Sequence, residues 1–124
     1  MNEHLIETIK TINNLVKEKI FFELSLDKYF QGEVVLIGST DITYYHNIEI
    51  VFKEVSYICC ASDWHVDTKN IAIEILSGKE AFDLNLKHRI TQGKILVKLN
   101  NEDDVMQWIA CESISIRIED IKHG

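Results

Sequence analysis

Three groups of residues in this chain have types and spacings that chemistry could use. The first is the run YICCASDWH, Tyr57 to His65, which sets Cys59 beside Cys60 just ahead of Trp64 and His65. A thiol acts as a nucleophile or metal ligand only as the thiolate, so it needs a nearby base or positive charge. His65 is the nearest base in sequence, and only Cys111 remains to extend a metal set, whereas zinc sites use spaced cysteine pairs. On a strand, adjacent side chains point to opposite faces, which separates Cys59 from Cys60. YICCA therefore reads as the most buried strand of a sheet. Cys59 is expected in the core beside Val55, Tyr57 and Ala61, and Cys60 in a second buried layer or as a partly exposed thiol.

The second group is Asp63, His65 and Asp67, which alternate in SDWHVDTKN. An extended segment would project all three on one face, where two carboxylates and an imidazole could hold a divalent ion. The plainer reading is a polar loop that closes before Ile71. Trp64 in that loop is expected either to fold back as a lid on the core or to anchor an interface. The third group lies in DITYYHNIEI, where Tyr44 and His46 share a strand face with Ile48. They could line a pocket mouth together with Tyr57 and Trp108, or cap the open end of a sheet. His46 and Glu49, three apart, would align on a helix but not on a strand.

The elements that must position these groups follow from periodicity. Leu5, Ile9, Ile12 and Val16, widened by Ile6 and Leu15, predict one amphipathic helix over about 3–18, with Asn2 as an N-cap. From residue 19 the period becomes two. Phe22, Leu24 and Leu26 alternate, then Ile48, Ile50 and Phe52, with a turn or bulge near Lys53 and Glu54. NIAIEIL and KILVKL read as strands, and VMQWIACESISIRIED as one long strand with Trp108, Ala110, Ile114, Ile116 and Ile118 in phase. The segment 79–92 carries mixed signals. Ser77 with Glu80 and a following Gly93 suggest a helix, while Phe82, Leu84 and Leu86 alternate, and the strand is preferred. For 102–111 a hairpin turning at NNEDD is preferred to a short helix. The fold class is α+β, mostly antiparallel β. One N-terminal helix is expected to pack on a curved antiparallel sheet of six to eight strands or a partly open barrel, in a single domain over 1–124.

The 124 residues carry 13 basic and 20 acidic side chains, a net charge of −7, and 46% hydrophobic residues. An acidic surface without a basic stripe opposes nucleic acid and anionic lipid, so neither is an expected partner. No apolar run is long enough for a signal peptide or membrane span, and three cysteines do not make a disulfide framework, so a cytoplasmic location is expected. No dinucleotide fingerprint, phosphate-binding loop, nucleophile elbow or zinc-protease motif occurs. No cofactor, metal or catalytic residue is assigned. The expected function is a small non-enzymatic binding or protein-interaction module with a protein partner or a second copy of itself. The alternatives are a small-molecule pocket between the helix and the sheet and, behind it, a divalent-metal loop at 63–67.

Overall fold

The computed structural model describes residues 3–90 and 93–123. These form α1 (Glu3–Lys17), β1 (Phe22–Phe30), β2 (Glu33–Ser39), β3 (Tyr45–Lys53), β4 (Tyr57–Cys59), β5 (Asp63–Val66), β6 (Ile73–Ile75), α2 (Gly78–His88), β7 (Ile95–Leu99), β8 (Trp108–Cys111) and β9 (Ser113–Lys122). The expected N-cap Asn2 lies outside the described residues. The strands make two antiparallel sheets instead of one, ordered β5-β1-β2-β3-β9 and β4-β8-β7-β6, and neither closes into a barrel.

The main core lies between the sheets, with α1 along their open side. Leu5, Ile12 and Val16 of α1 meet Phe22, Leu24, Leu36, Ile50 and Phe52 from the first sheet and Val97, Leu99 and Ile109 from the second. Ile9, expected in the stripe, is only partly buried, and Thr8 takes a buried place with its hydroxyl donating to the His4 carbonyl at 2.9 Å. Asn13 fixes the helix to the second sheet. Its Oδ1 accepts from Ala72 N and Ile73 N at 2.9 and 3.0 Å, while its Nδ2 donates to Ile73 O at 2.9 Å. Packing is tight at Gly38, where a Cβ would approach Phe22, Ile48 and Leu24 to 2.7, 2.8 and 2.9 Å.

The second sheet is covered on its other face by α2. Leu76, Leu96, Trp108 and Ala110 form a smaller cluster there, with Tyr57, Ala81, Leu84 and Ile90 packed against it. The strand preferred for 79–92 is thus replaced by a helix over Gly78–His88, and residues 91–92 of that segment lie outside the described residues. Ala81, Leu84 and His88 recur at helical spacing toward the sheet, while Phe82 and Leu86, part of the apparent alternation, are 61% and 65% exposed. Ser77 is the N-cap residue but makes no side-chain capping bond, and the helix ends at Arg89 in the left-handed region, well before Gly93.

Two further expectations change because the chain turns corners between sheets. VMQWIACESISIRIED is two strands, β8 in one sheet and β9 in the other, and the chain crosses at Glu112. Trp108 and Ala110 face α2, whereas Ile114 and Ile116 face the main core, although their numbering stays in phase. Likewise YICCA is not the most buried strand. β4 is a three-residue edge strand, Cys59 is exposed, and Cys60 packs half-buried on the main core beside Ile58. Glu54 has φ of 54° and Val55 bonds through its N–H to Gly32, so the alternation counted from Val55 does not carry into Tyr57. The hairpin at NNEDD forms as expected: β7 pairs with β8, and Leu99 N donates to Gln107 O at 2.9 Å.

Candidate functional site

The residues that converge without serving the core do so around the last turns of β9. Here the pairing with β3 slips: His46 faces Ile121 and Ile48 faces Ile118, two steps along β3 for three along β9. Such a bulge twists the strands and re-aims side chains. The extra residue is on β9, and β3 keeps its alternation, yet His46 and Glu49 meet around the strand, with His46 Nε2 3.0 Å from Glu49 Oε2. His46 is buried, and its Nδ1 lies 2.7 Å from Nε2 of His123. The far nitrogen of His123, Nδ1, is 2.9 Å from the Ile42 carbonyl, which can only accept. His123 therefore donates from Nδ1, and the contact between His46 Nδ1 and His123 Nε2 is one hydrogen bond whose single proton one of the two rings supplies. The partners occupy opposite edges of the His46 ring, so no single ion could be held by all three groups.

His123, the last member of this chain, lines a cleft of about 510 Å³ together with Tyr44, Tyr45, Asn47, Asp120, Ile121 and Lys122. Tyr44 projects into solvent at 68% exposure. A second, smaller groove of about 160 Å³ lies beyond Asn47, between Leu15, Lys19 and Phe22 on one side and Ile48 and Ile118 on the other. Ile118 is 62% exposed although it opposes Ile48 on the core-facing side of the sheet. Residues of β9 line both depressions, Asp120 to Lys122 the first and Ile118 the second. This strand is ten residues long and the outermost strand of its sheet, so its outer N–H and C=O groups have no strand partner among the described residues.

The other sequence candidates are placed apart from this region. Trp64 is a core residue, paired opposite Leu24, with its indole N–H buried and without a partner. Asp63 and His65 point outward from β5, but Asp67 lies beyond the strand and is spent on a turn, accepting from Lys69 N at 3.0 Å and Asn70 Nδ2 at 2.7 Å. His65 instead sits between Glu23 and Glu102, at 3.7 and 3.8 Å. Among the described residues no three His, Cys, Asp or Glu side chains are grouped to hold a metal. Tyr57 stacks on Trp108 at 4.6 Å with the rings 5° from parallel, and His88 of α2 closes on both. Tyr57 and Trp108 thus belong to the second sheet and its α2 cluster, while Tyr44 and His46 lie at the end of the first, so the four do not line one pocket. Burial, then the neighbouring Cys59, raises the Cys60 thiol above its ordinary value, and burial pushes Cys111 up to about 12.

His123 and the open edge had no signal in the sequence. No periodic pattern links positions 46 and 123, and an edge strand has the same alternation as a central one. Among the described residues no helix is long and apolar enough to cross a membrane. Comparison with family models, with curated proteins and with solved structures finds no match to this chain.

Proposed function

We propose that the protein is a non-enzymatic interaction module that binds another protein by strand addition at β9. The observation that carries this reading is a ten-residue strand at the edge of a five-stranded sheet that has no further strand beside it among the described residues, although α1 packs against it. Proteins ordinarily shorten or cover such edges, because unpaired N–H and C=O groups recruit further strands. Strand addition gives affinity through main-chain hydrogen bonds and specificity through pockets for alternate side chains. The cleft at Tyr44 and the groove at Ile118 are each lined in part by β9 and could take such side chains. The non-enzymatic part rests on how the reactive groups are used. His46, Glu49 and His123 satisfy one another, and the Cys60 and Cys111 thiols hold their protons at neutral pH.

The reading is tested by affinity capture with the tagged full chain in lysate of its own source cells. Ile118→Lys places a charge beside the open edge and is expected to release a partner that wild type and Phe82→Ser both retain. Phe82 is as exposed as Ile118 but lies on α2, so it controls for loss of any surface apolar group. Retention of the same partner by all three proteins would exclude the β9 edge as the binding surface.

A further inference from the structure

Helix α1 carries Lys10, Asn14 and Lys17 on one face, at spacings of four and three. This flank is not the one turned to β9. Leu15 and Lys19 line the groove at Ile118, whereas Lys10, Asn14 and Lys17 line a separate cleft of about 320 Å³ with Lys69 and Ile71. The two walls of that cleft are tied together. Asn13 makes three hydrogen bonds to the backbone of Ala72 and Ile73, and Thr68 Oγ1 donates to the Ile20 carbonyl at 3.4 Å. The Asp67 carboxylate closes the turn that carries Lys69. The cleft is therefore formed before any ligand arrives.

Three ammonium groups gather here in a chain of net charge −7. Among the described residues, ion pairs engage Lys79, Lys94 and Lys98 but none of these three. We propose that the cleft docks a short acidic segment of a partner protein, held through its carboxylates. Binding here does not require the β9 edge. Geometry chooses among the anions. Phosphate groups are cradled by runs of free backbone N–H. Here the N–H groups of Lys69, Asn70, Ala72 and Ile73 are already bonded within the chain. Lysines act as point charges, and Lys10 and Lys17 are set about 10 Å apart along the helix. That spread suits several single charges better than one compact dianion. Carboxylates on alternate residues of an extended segment recur about every 7 Å. Ile71, which is 50% exposed, offers apolar contact beside them. A nucleic acid would run further. The next cleft, which shares Asn70 and Ile71, carries Asp67, Glu74 and Asp104 and would repel a long phosphate chain.

Fluorescence anisotropy on the full chain, with a labelled peptide of alternating glutamate and serine, tests this. Wild type is expected to bind the peptide, and to bind it less well as salt rises. Lys10→Glu with Lys69→Glu reverses one charge on each wall and should weaken binding about tenfold or more. Lys28→Glu with Lys53→Glu makes the same change in net charge at exposed positions outside the cleft, and should bind within about twofold of wild type. Lys10 and Lys69 are exposed too, and circular dichroism checks that both double variants are folded. A wild type that does not bind the peptide, or equal weakening in the two double variants, overturns the site. Oligothymidylate or inorganic phosphate that binds more tightly than the peptide, with the same dependence on Lys10 and Lys69, overturns the choice of an acidic protein segment.

Discussion

At the scale of single residues, burial decides chemistry more than identity does. The three cysteines share one side-chain type but have three environments: Cys59 is exposed, Cys60 half-buried and Cys111 wholly buried. Burial raises the Cys111 thiol from 9.0 to about 12, with Lys94 opposing and Glu112 adding to the effect. The sign of the stability effect follows. Between those values the unfolded chain has lost this proton and the folded chain keeps it, so stability falls as pH rises. Urea unfolding midpoints should decline from about pH 9 upward, and Cys111→Ala should flatten the decline relative to wild type. Equal slopes in the two proteins would contradict this assignment. Trp64 makes the companion case. Its ring fills the core, but its N–H is buried without an acceptor. Trp64→Ala should cost about 3–5 kcal/mol by opening a cavity. Trp64→Phe deletes the unpaired donor and keeps most of the packing, so its loss should stay within about 1 kcal/mol. Chemical denaturation of both variants checks the difference, and equal losses would refute the role given to the ring.

At the scale of elements, α1 and α2 are held in different ways. α1 buries four side chains and is bonded to β6 through Asn13. α2 has no fully buried residue and rests on the second sheet through Ala81, Leu84 and Ile90. Local opening is drawn from elements with few buried apolar contacts. Amide exchange in α2 should therefore run well ahead of exchange in β2 and β8, whose residues are almost all buried. Leu84→Ala should speed α2 exchange further and lower global stability by about 1 kcal/mol or less. Protection of α2 equal to that of β8 would show that the helix opens only with the whole fold. The same contrast explains what the sequence revealed. The apolar stripe of α1 is read directly because one core covers it. In α2 the side chains packed on the sheet are Ala81, Leu84 and His88, while the conspicuous Phe82 and Leu86 face water and mimic a strand.

At the scale of the molecule, the two-sheet arrangement rests on corners that periodicity cannot see. Strands β3 and β4, β4 and β5, β5 and β6, and β8 and β9 are neighbours in sequence but belong to different sheets. Side chains an even number of positions apart can then face different cores, as Ala110 and Ile114 do on either side of Glu112. The β9 edge belongs to this scale too. Its alternation matches that of a central strand, and only the order of strands leaves it outermost.

By itself, the sequence determined the class: an N-terminal amphipathic helix, antiparallel strands with turns near Lys53 and at NNEDD, and an acidic surface. These follow from local periodicity and composition, which need no knowledge of distant neighbours. The tertiary structure alone decided that Trp64 is core and Cys59 surface, that His46 meets both Glu49 and His123, and that β9 is the outermost strand of its sheet. Each depends on which distant segments cover a given face, and a single strand carries no record of that.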